Sequence, residues 1–221
     1  MKIRIVVLLL CLFGMAAARA EAGFEARLQA LQRAWAQANY QTPKEKVDAA
    51  FARLDRQARE LVQAYPDRAA AKLWEAIVLA SRAGKVGGFH ALGWVRRARD
   101  LLLEAARSKD PGVLGSVYTT LGSLYYKVPR WPLAFGDRDK ARAYLEKAVQ
   151  LAPESIDANY FYADFLASEG QYAEAMRYAR KALAAPPRPG RPLADAGRRA
   201  EVRHLIDRLQ QRLAAARGGT S

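Results

Sequence analysis

Few side chains in this sequence have the types and spacings that perform catalysis or bind metals. The two histidines, His90 and His204, are far apart, and neither has a second histidine one helical turn away, as a zinc-binding helix requires. Cys11 is the only cysteine, and the carboxylates Glu169 and Glu174 show no sign of the burial that acid–base chemistry needs. The chain also contains no nucleophile elbow, phosphate-binding loop or dinucleotide fingerprint. We therefore expect a protein that is not an enzyme and has no catalytic residue, metal or cofactor.

Aromatic side chains in two stretches, 85–94 and 127–141, are better candidates for binding. The stretches contain glycines or prolines and lie between segments that are patterned as helices. Their candidate binding residues are Phe89, His90 and Trp94 in the first stretch, and Arg130, Trp131 and Phe135 in the second. We expect two loops that meet at one end of the molecule, as an apolar pocket wall or lid with a cationic rim. The alternative is that the rings fold inward and plug a groove as a small core, and the residues do not decide between the two.

An internal repeat sets the position of these stretches. Its clearest copy is 156–189, which has two helical halves divided by Gly170 and closed by Pro187. Small residues stand where the two helices must approach closely: Ala163, Ala175 and Ala182. This unit resembles a tetratricopeptide repeat over its full 34 residues. The resemblance implies a helix–turn–helix that stacks on copies of itself.

A second copy, 115–155, precedes the clearest one. Leu121 and Tyr162 occupy equivalent positions and lie 41 residues apart, whereas an unmodified repeat would place them 34 apart. Seven residues are therefore inserted, and they fall within 127–141.

A more degenerate copy, 71–112, has an insertion of about eight residues in the stretch 85–94. Amphipathic patterns flank the repeats, as N-terminal helices in 21–66 and a C-terminal capping helix in 190–217. No alternating run of β-branched residues indicates a strand. The predicted fold is all-α, a short tetratricopeptide-type solenoid of helical hairpins with capping helices.

The resemblance also implies a concave surface lined by the first helix of each repeat. The corresponding positions hold Thr119, Ser123 and Tyr126 in the copy 115–155, and Tyr160 and Asp164 in the copy 156–189. Some family members bind peptide C-termini with a lysine–asparagine carboxylate clamp. Because the clamp positions hold Thr119 and Ser123 here, that activity is not implied.

The first twenty residues have the pattern of a secretory signal peptide. A short basic region precedes an apolar run, and cleavage is expected after Ala20. The alternative is an uncleaved membrane anchor. Lipidation at Cys11 is not expected, because the bulky Leu10 occupies a position where a lipobox needs a small residue. We expect a periplasmic mature chain that does not span the membrane and contains no cysteine.

Basic residues are in excess. The formal net charge is +14, or +11 without the first twenty residues, and 180–217 holds ten basic residues against three acidic ones. Such an excess favours an anionic partner, and export argues against a nucleic acid. The basic C-terminal segment is either a solvated helix face or a dedicated patch for an anionic surface.

Three runs, "GSLYYKVPRWPLAFGD", "ANYFYADFL" and "APPRPGRPLADAGRRAE", are typical of exported bacterial repeat proteins. With export and the modified inter-helix stretches, the chain is similar to the T-component of tripartite periplasmic transporters, although the missing lipobox departs from that pattern. This similarity implies delivery of small anionic or apolar solutes. We predict a non-catalytic periplasmic scaffold that binds another periplasmic or membrane-associated protein. The alternative is a transport accessory whose aromatic stretches enclose a small solute.

Overall fold

The structure is a computed structural model that describes the backbone of residues 2–218 and the side chains of residues 21–216. The predicted signal peptide, with Cys11, lies outside the described side chains. The helices are α1 (Lys2–Tyr40), a 3₁₀ turn (Lys44–Lys46), α2 (Val47–Ala64), α3 (Ala69–Val86), α4 (Phe89–Ala105), α5 (Pro111–Lys127), α6 (Arg138–Leu151), α7 (Ile156–Ser168), α8 (Tyr172–Ala184) and α9 (Pro192–Gly218). The described residues form no sheet, which confirms the predicted all-α fold.

Consecutive helices pair into four hairpins, α1–α2, α3–α4, α5–α6 and α7–α8, and α9 packs on the last of them. Polar caps begin three of these helices. The side chains of Asp110, Asp137 and Ser155 accept hydrogen bonds from first-turn amides of α5, α6 and α7. Such caps satisfy amides that have no partner within the helix.

Small residues allow the paired helices to approach closely. In the copy 156–189, Ala163, Ala175 and Ala182 are completely buried, at the positions that the repeat pattern indicates. In the copy 115–155, a Cβ atom added to Gly122 would lie 2.5 Å from the Leu145 side chain. Side chains larger than these would push the hairpins apart.

The insertion in the copy 115–155 is a loop, as predicted. Residues 128–137 connect α5 to α6, whereas only 169–171 connect α7 to α8, so the difference is seven residues.

The expectation of a loop at 85–94 is wrong. Only Gly87 and Gly88 separate α3 from α4, and both have the positive φ angles that glycine adopts without strain. The extra residues lengthen the helices, because α3 and α4 have 18 and 17 residues whereas α7 and α8 have 13 each. Val95 is buried in the main core, and this favours a helix that continues through the stretch.

The two ends of the array meet. The first turn of α9 places Ala194 in the same apolar cluster as Trp35 of α1. Gly197 lies against the Tyr40 ring so closely that an added Cβ would be 2.5 Å from its carbons. The hairpins therefore form a ring that α1 and α9 close. No helix in the described part of the chain is both long and apolar enough to cross a membrane.

Candidate functional site: a central cavity

The ring encloses a cavity of about 990 Å³. The first helices of the hairpins (α1, α3, α5 and α7) line most of it, and α4, the helix connections and Arg198 of α9 contribute the rest. Its larger apolar lining residues are Leu28, Trp35, Leu73, Trp74, Leu124 and Phe161. This volume lies at the upper end of the range for small-molecule sites, and it is also wide enough for a short segment of polypeptide.

Hydroxyl groups add polar points to this wall. Trp35 donates its indole N–H to Ser81 Oγ at 2.9 Å. Thr119 and Ser123, two of the predicted binding residues, are nearly buried and line the cavity. Each donates its hydroxyl hydrogen to a carbonyl of its own helix, at 2.8 and 2.9 Å. Their oxygens therefore remain as hydrogen-bond acceptors for an occupant.

One side of the cavity is cationic. Asp157 accepts hydrogen bonds from Arg188 at 2.5 Å and from Arg198 at 2.6 Å. Burial opposes ionisation of Asp157, but Arg198, Arg188 and Arg191 outweigh it and hold the pKa of the carboxyl well below its ordinary value. Arg198 is only 8% exposed. Burial alone would lower the pKa of Arg198, but the charge of Asp157 and its neighbours outweighs burial and raises that pKa above the ordinary value.

Arg191 is the arginine of this wall that forms no ion pair with any of the described side chains. Its guanidinium lies 4.9 Å from the centre of the Trp74 ring, and no acidic side chain among the described residues forms an ion pair with it. Its Nε atom is buried without a hydrogen-bond partner. Burial and the nearby Arg188 lower its pKa, so its charged form is destabilised. An anionic group in the cavity would accept a hydrogen bond from this Nε and would also stabilise the charged form of Arg191.

The other predicted concave residues join helices to one another. Tyr126 donates its hydroxyl to Asp164 at 2.7 Å, and Lys127 Nζ lies 3.0 Å from the same carboxylate. Burial, together with the Asp164 charge, raises the pKa of Tyr126 well above its ordinary value. The Tyr160 ring packs under the Arg198 guanidinium at 4.5 Å, and burial raises its pKa to about 12. None of these three predicted residues, Tyr126, Tyr160 and Asp164, lines the cavity.

None of the predicted aromatic residues lines the central cavity. In α4, Phe89 is 96% exposed and His90 is exposed, while Trp94 is half-buried with the Arg82 guanidinium 4.1 Å from its ring centre.

In the loop of residues 128–137, Phe135 turns inward and Trp131 turns outward. Phe135 meets Tyr125 edge-on at 5.3 Å and lies beneath Arg99. Trp131 is 85% exposed, and the neighbouring Arg130 is also exposed. Phe135 thus adopts the packed alternative. Only the base of the loop, Val128 and Pro129, lines the central cavity.

The arginines of the cavity wall, Arg188, Arg191 and Arg198, were absent from the predicted binding residues. The spacing of α9 contains a signal for one of them. Ala194, Arg198 and Val202 are four residues apart, so Arg198 belongs to the buried stripe of the helix. The basic C-terminal segment, 180–217, is therefore only in part a solvated helix face.

Neither histidine forms part of a metal site. His204 is exposed on α9, and within the described residues no three histidine, cysteine or carboxylate side chains are grouped to hold a metal ion.

Comparisons with known proteins agree with this architecture. The family model "Tetratricopeptide repeat" matches residues 133–193. A solved thermophilic tetratricopeptide repeat protein of Thermus thermophilus is 20% identical, with a TM-score of 0.52 over 86% of this chain and 94% of that one. MamA is 17% identical (TM-score 0.44, 79% and 95% covered), and pilF of Pseudomonas aeruginosa is also 17% identical (TM-score 0.37, 90% and 94% covered). Nothing matches among curated protein sequences.

The family match covers most of the last two hairpins, and the Thermus structure has the same fold across most of the chain. The resemblance to the tetratricopeptide repeat is thereby confirmed. Residues 133–193 match the tetratricopeptide repeat family model, and the described part of the chain has an all-α helical-repeat fold.

Proposed function

We propose that this protein is a non-catalytic periplasmic scaffold whose central cavity receives an anionic segment of a partner protein. Tetratricopeptide repeat folds commonly serve as protein-interaction scaffolds, which supports a protein partner in general. The observation that carries the proposal is Arg191, a cation in the wall of a cavity of about 990 Å³ without an anion to pair with among the described side chains. A carboxylate of the partner would occupy that position.

The apolar part of the wall supports the same occupant. Trp35, Trp74 and Phe161 offer large surfaces to apolar side chains, while the hydroxyl oxygens of Thr119 and Ser123 can accept hydrogen bonds from backbone amides. A short extended peptide presents both kinds of group along with a carboxylate.

A second function, a transport accessory that encloses a small solute, uses the same cavity. Its volume falls within the range of small-molecule pockets, and an anionic solute with an apolar body would match the wall. In this form of the proposal the enclosing residues are those of the ring interior. The second aromatic stretch contributes only its base, Lys127, Val128 and Pro129.

The signal-peptide pattern of the first twenty residues supports the periplasmic part of the proposal. The signal-peptide pattern ends at Ala20, and Phe24 is the first buried side chain among those described. Glu21, the first residue after the expected cleavage, pairs with Arg68 at 2.6 Å. Fractionation of cells followed by an intact-mass measurement tests this, because a periplasmic chain that begins at Glu21 is expected.

The test of the cavity is affinity capture from periplasmic extract with the wild-type chain, an Arg191→Ala variant and an Arg203→Ala control. Arg203 is exposed on α9, and its replacement removes an equal charge. We expect a partner that binds the Arg191→Ala variant at least about tenfold more weakly than it binds the wild type. Hydrogen bonds to charged groups contribute about 1.5–3 kcal/mol, which corresponds to such a loss. Equal capture by all three chains would contradict the proposal. Native mass spectrometry of the purified protein identifies a bound small solute, the outcome expected of the transport accessory.

A further inference from the structure

The outer half of the loop of residues 128–137 presents large apolar side chains to solvent. Trp131 is 85% exposed and Leu133 is 64% exposed. Soluble proteins rarely leave such groups together on the surface unless they bind something. The central cavity does not use either side chain.

This loop is held in shape by its own hydrogen bonds. Gly136 N donates to Pro129 O at 2.9 Å, and Asp137 N donates to Tyr125 O at 2.9 Å, so the two ends of the loop are pinned together. The approach at Gly136 is so close that an added Cβ would lie 2.1 Å from a backbone oxygen. Arg96 of α4 also donates to Leu133 O at 3.3 Å. The exposed side chains are therefore presented on an ordered support, which lowers the entropy lost on binding.

Basic side chains lie beside the exposed apolar ones, and most of them are paired with acids. A recess of about 440 Å³ at the base of the loop is lined by Lys127, Arg130 and Arg138, with Asp137 as its acid. The Asp137 carboxylate caps α6, and Lys127 and Arg138 pair with Asp164 and Glu169. Arg130 is exposed and pairs with no acidic side chain among the described residues.

A third exposed ring lies on the helix that touches this loop. Phe89, 96% exposed, is seven residues before Arg96 in α4. Seven residues are nearly two helical turns, so Phe89 and Arg96 share a face of the helix. Phe89 thus stands on the face of α4 from which Arg96 reaches the loop.

We propose that this surface, formed by Arg130, Trp131, Leu133 and Phe89, binds the face of a membrane that contains anionic phospholipids. Tryptophan is favoured at the boundary between water and lipid, because its ring is apolar and its N–H can remain hydrated. The Arg130 guanidinium pairs with a lipid phosphate, while Trp131 and Leu133 enter the region beneath the headgroups. A loop tip with two exposed apolar side chains, beside an arginine that pairs with no described acidic side chain, suits a flat anionic surface better than it suits a cleft in another protein. The proposal is independent of what occupies the central cavity.

The first test is flotation of the purified protein with vesicles of phosphatidylcholine alone or with added phosphatidylglycerol. We expect binding to the anionic vesicles, reduced about tenfold in a Trp131→Ala/Leu133→Ala variant. Arg130→Ala should reduce it about fivefold, because a basic residue near such a surface contributes about 1 kcal/mol. All chains are used in the same processed form, so that any effect of the N-terminal residues cancels. The controls are Leu103→Ala, a partly exposed leucine of α4, and Arg180→Ala, an exposed arginine of α8.

Tryptophan fluorescence gives a second, independent reading. Trp35 and Trp74 are buried and Trp94 is half-buried, so a blue shift on addition of vesicles reports mainly on Trp131. Wild-type protein should show the shift with anionic vesicles, and its quenching by brominated lipid places the ring within the bilayer. The proposal is overturned if the wild type does not bind anionic vesicles, or if the loop variants bind as well as the controls. It is also overturned if the double variant instead abolishes self-association measured by sedimentation, since the surface would then be an interface between copies of this chain.

Discussion

At the scale of single residues, the cationic wall of the central cavity depends on one carboxylate that two guanidinium groups share. Asp157, in the first turn of α7, forms ion pairs with Arg188 from the segment before α9 and with Arg198 from α9 itself. It therefore ties the last hairpin, α7–α8, to the closing helix. Removing the carboxylate would leave Arg198 buried with only Glu201 as an acidic partner among the described residues.

We predict that Asp157→Asn lowers the free energy of unfolding at neutral pH by about 2–3 kcal/mol, since it removes hydrogen bonds between charged groups. The folded-state pKa of Asp157 is depressed, so its contribution to stability is complete above the unfolded-state value near 3.8. That contribution is lost as the pH falls below that value towards the lower pKa of the folded state. The free energy of unfolding of the wild type, measured with denaturant, should therefore fall in acid. The variant should lose part of this pH dependence. Asp207→Asn, an exposed change on α9, is the control, and equal effects of the two substitutions would contradict the prediction.

The sequence indicates Asp157 and the arginines less clearly than it indicates the repeat. Basic residues crowd the C-terminal segment, and charge alone does not separate a guanidinium in the cavity wall from one in solvent. Arg198 could be identified from its place on the apolar stripe of α9, but Arg188 and Arg191 lie in a proline-rich connection without periodicity. Their position depends on the path of that connection across the ring. Thr119 and Ser123 do line the cavity, at positions that the resemblance to the repeat family assigns to the concave face.

At the scale of elements, the hairpins depend on small residues at fixed positions. We predict that Gly122→Ala destabilises the protein by about 1–3 kcal/mol, because the new methyl group would meet Leu145 on one side and the backbone of Ala141 on the other. Gly93→Ala is the matched control. Gly93 also lies within a helix, but an added Cβ there meets nothing within 4 Å. It should stabilise the protein by about 0.5–1 kcal/mol. Thermal and denaturant unfolding of the two variants measures both effects, and changes of the same sign would refute this account of the hairpin contact.

The two insertions show how far the repeat pattern predicts an element. The spacing of equivalent residues gives the length of the insertion in 127–141, and prolines at 129 and 132 indicate a loop. The insertion in 85–94 contains two adjacent glycines, which suggest the same outcome. However, the residues that follow these glycines, from Phe89 to Ala105, contain no proline. Their apolar spacing has the period of a helix and is part of α4. The glycines form a tight connection of their own, and the additional residues extend both helices beside it.

At the scale of the whole molecule, the small rotation between successive repeats of a solenoid adds up along the array. Each copy of the repeat specifies its own pairing, but the sum of the rotations decides whether α9 reaches α1. For this reason the closure and the enclosed cavity could not be read from the sequence, although the two flanking helices could. In the closed molecule the end helices cover each other's apolar faces, with Ala194 and Trp35 in one cluster. Terminal helices of a repeat array otherwise need a polar outer face.

The contact between Gly197 and Tyr40 is the place where this closure can be broken with the least damage elsewhere. Gly197→Leu would force a branched side chain into the Tyr40 ring, while α1 and α9 retain their contacts with α2 and α8. We predict that the variant keeps its helical content but exchanges amide hydrogens faster in the last turns of α1 and the first turns of α9. Gly93→Leu, on the open face of α4, should leave exchange in both segments unchanged.

Hydrogen exchange read by mass spectrometry resolves these segments. Faster exchange spread evenly over all hairpins would mean that the closure stabilises the entire fold. Unchanged exchange would mean that the contact between Gly197 and Tyr40 contributes nothing to stability. Only the local pattern fits a closure that can open while the hairpins remain folded.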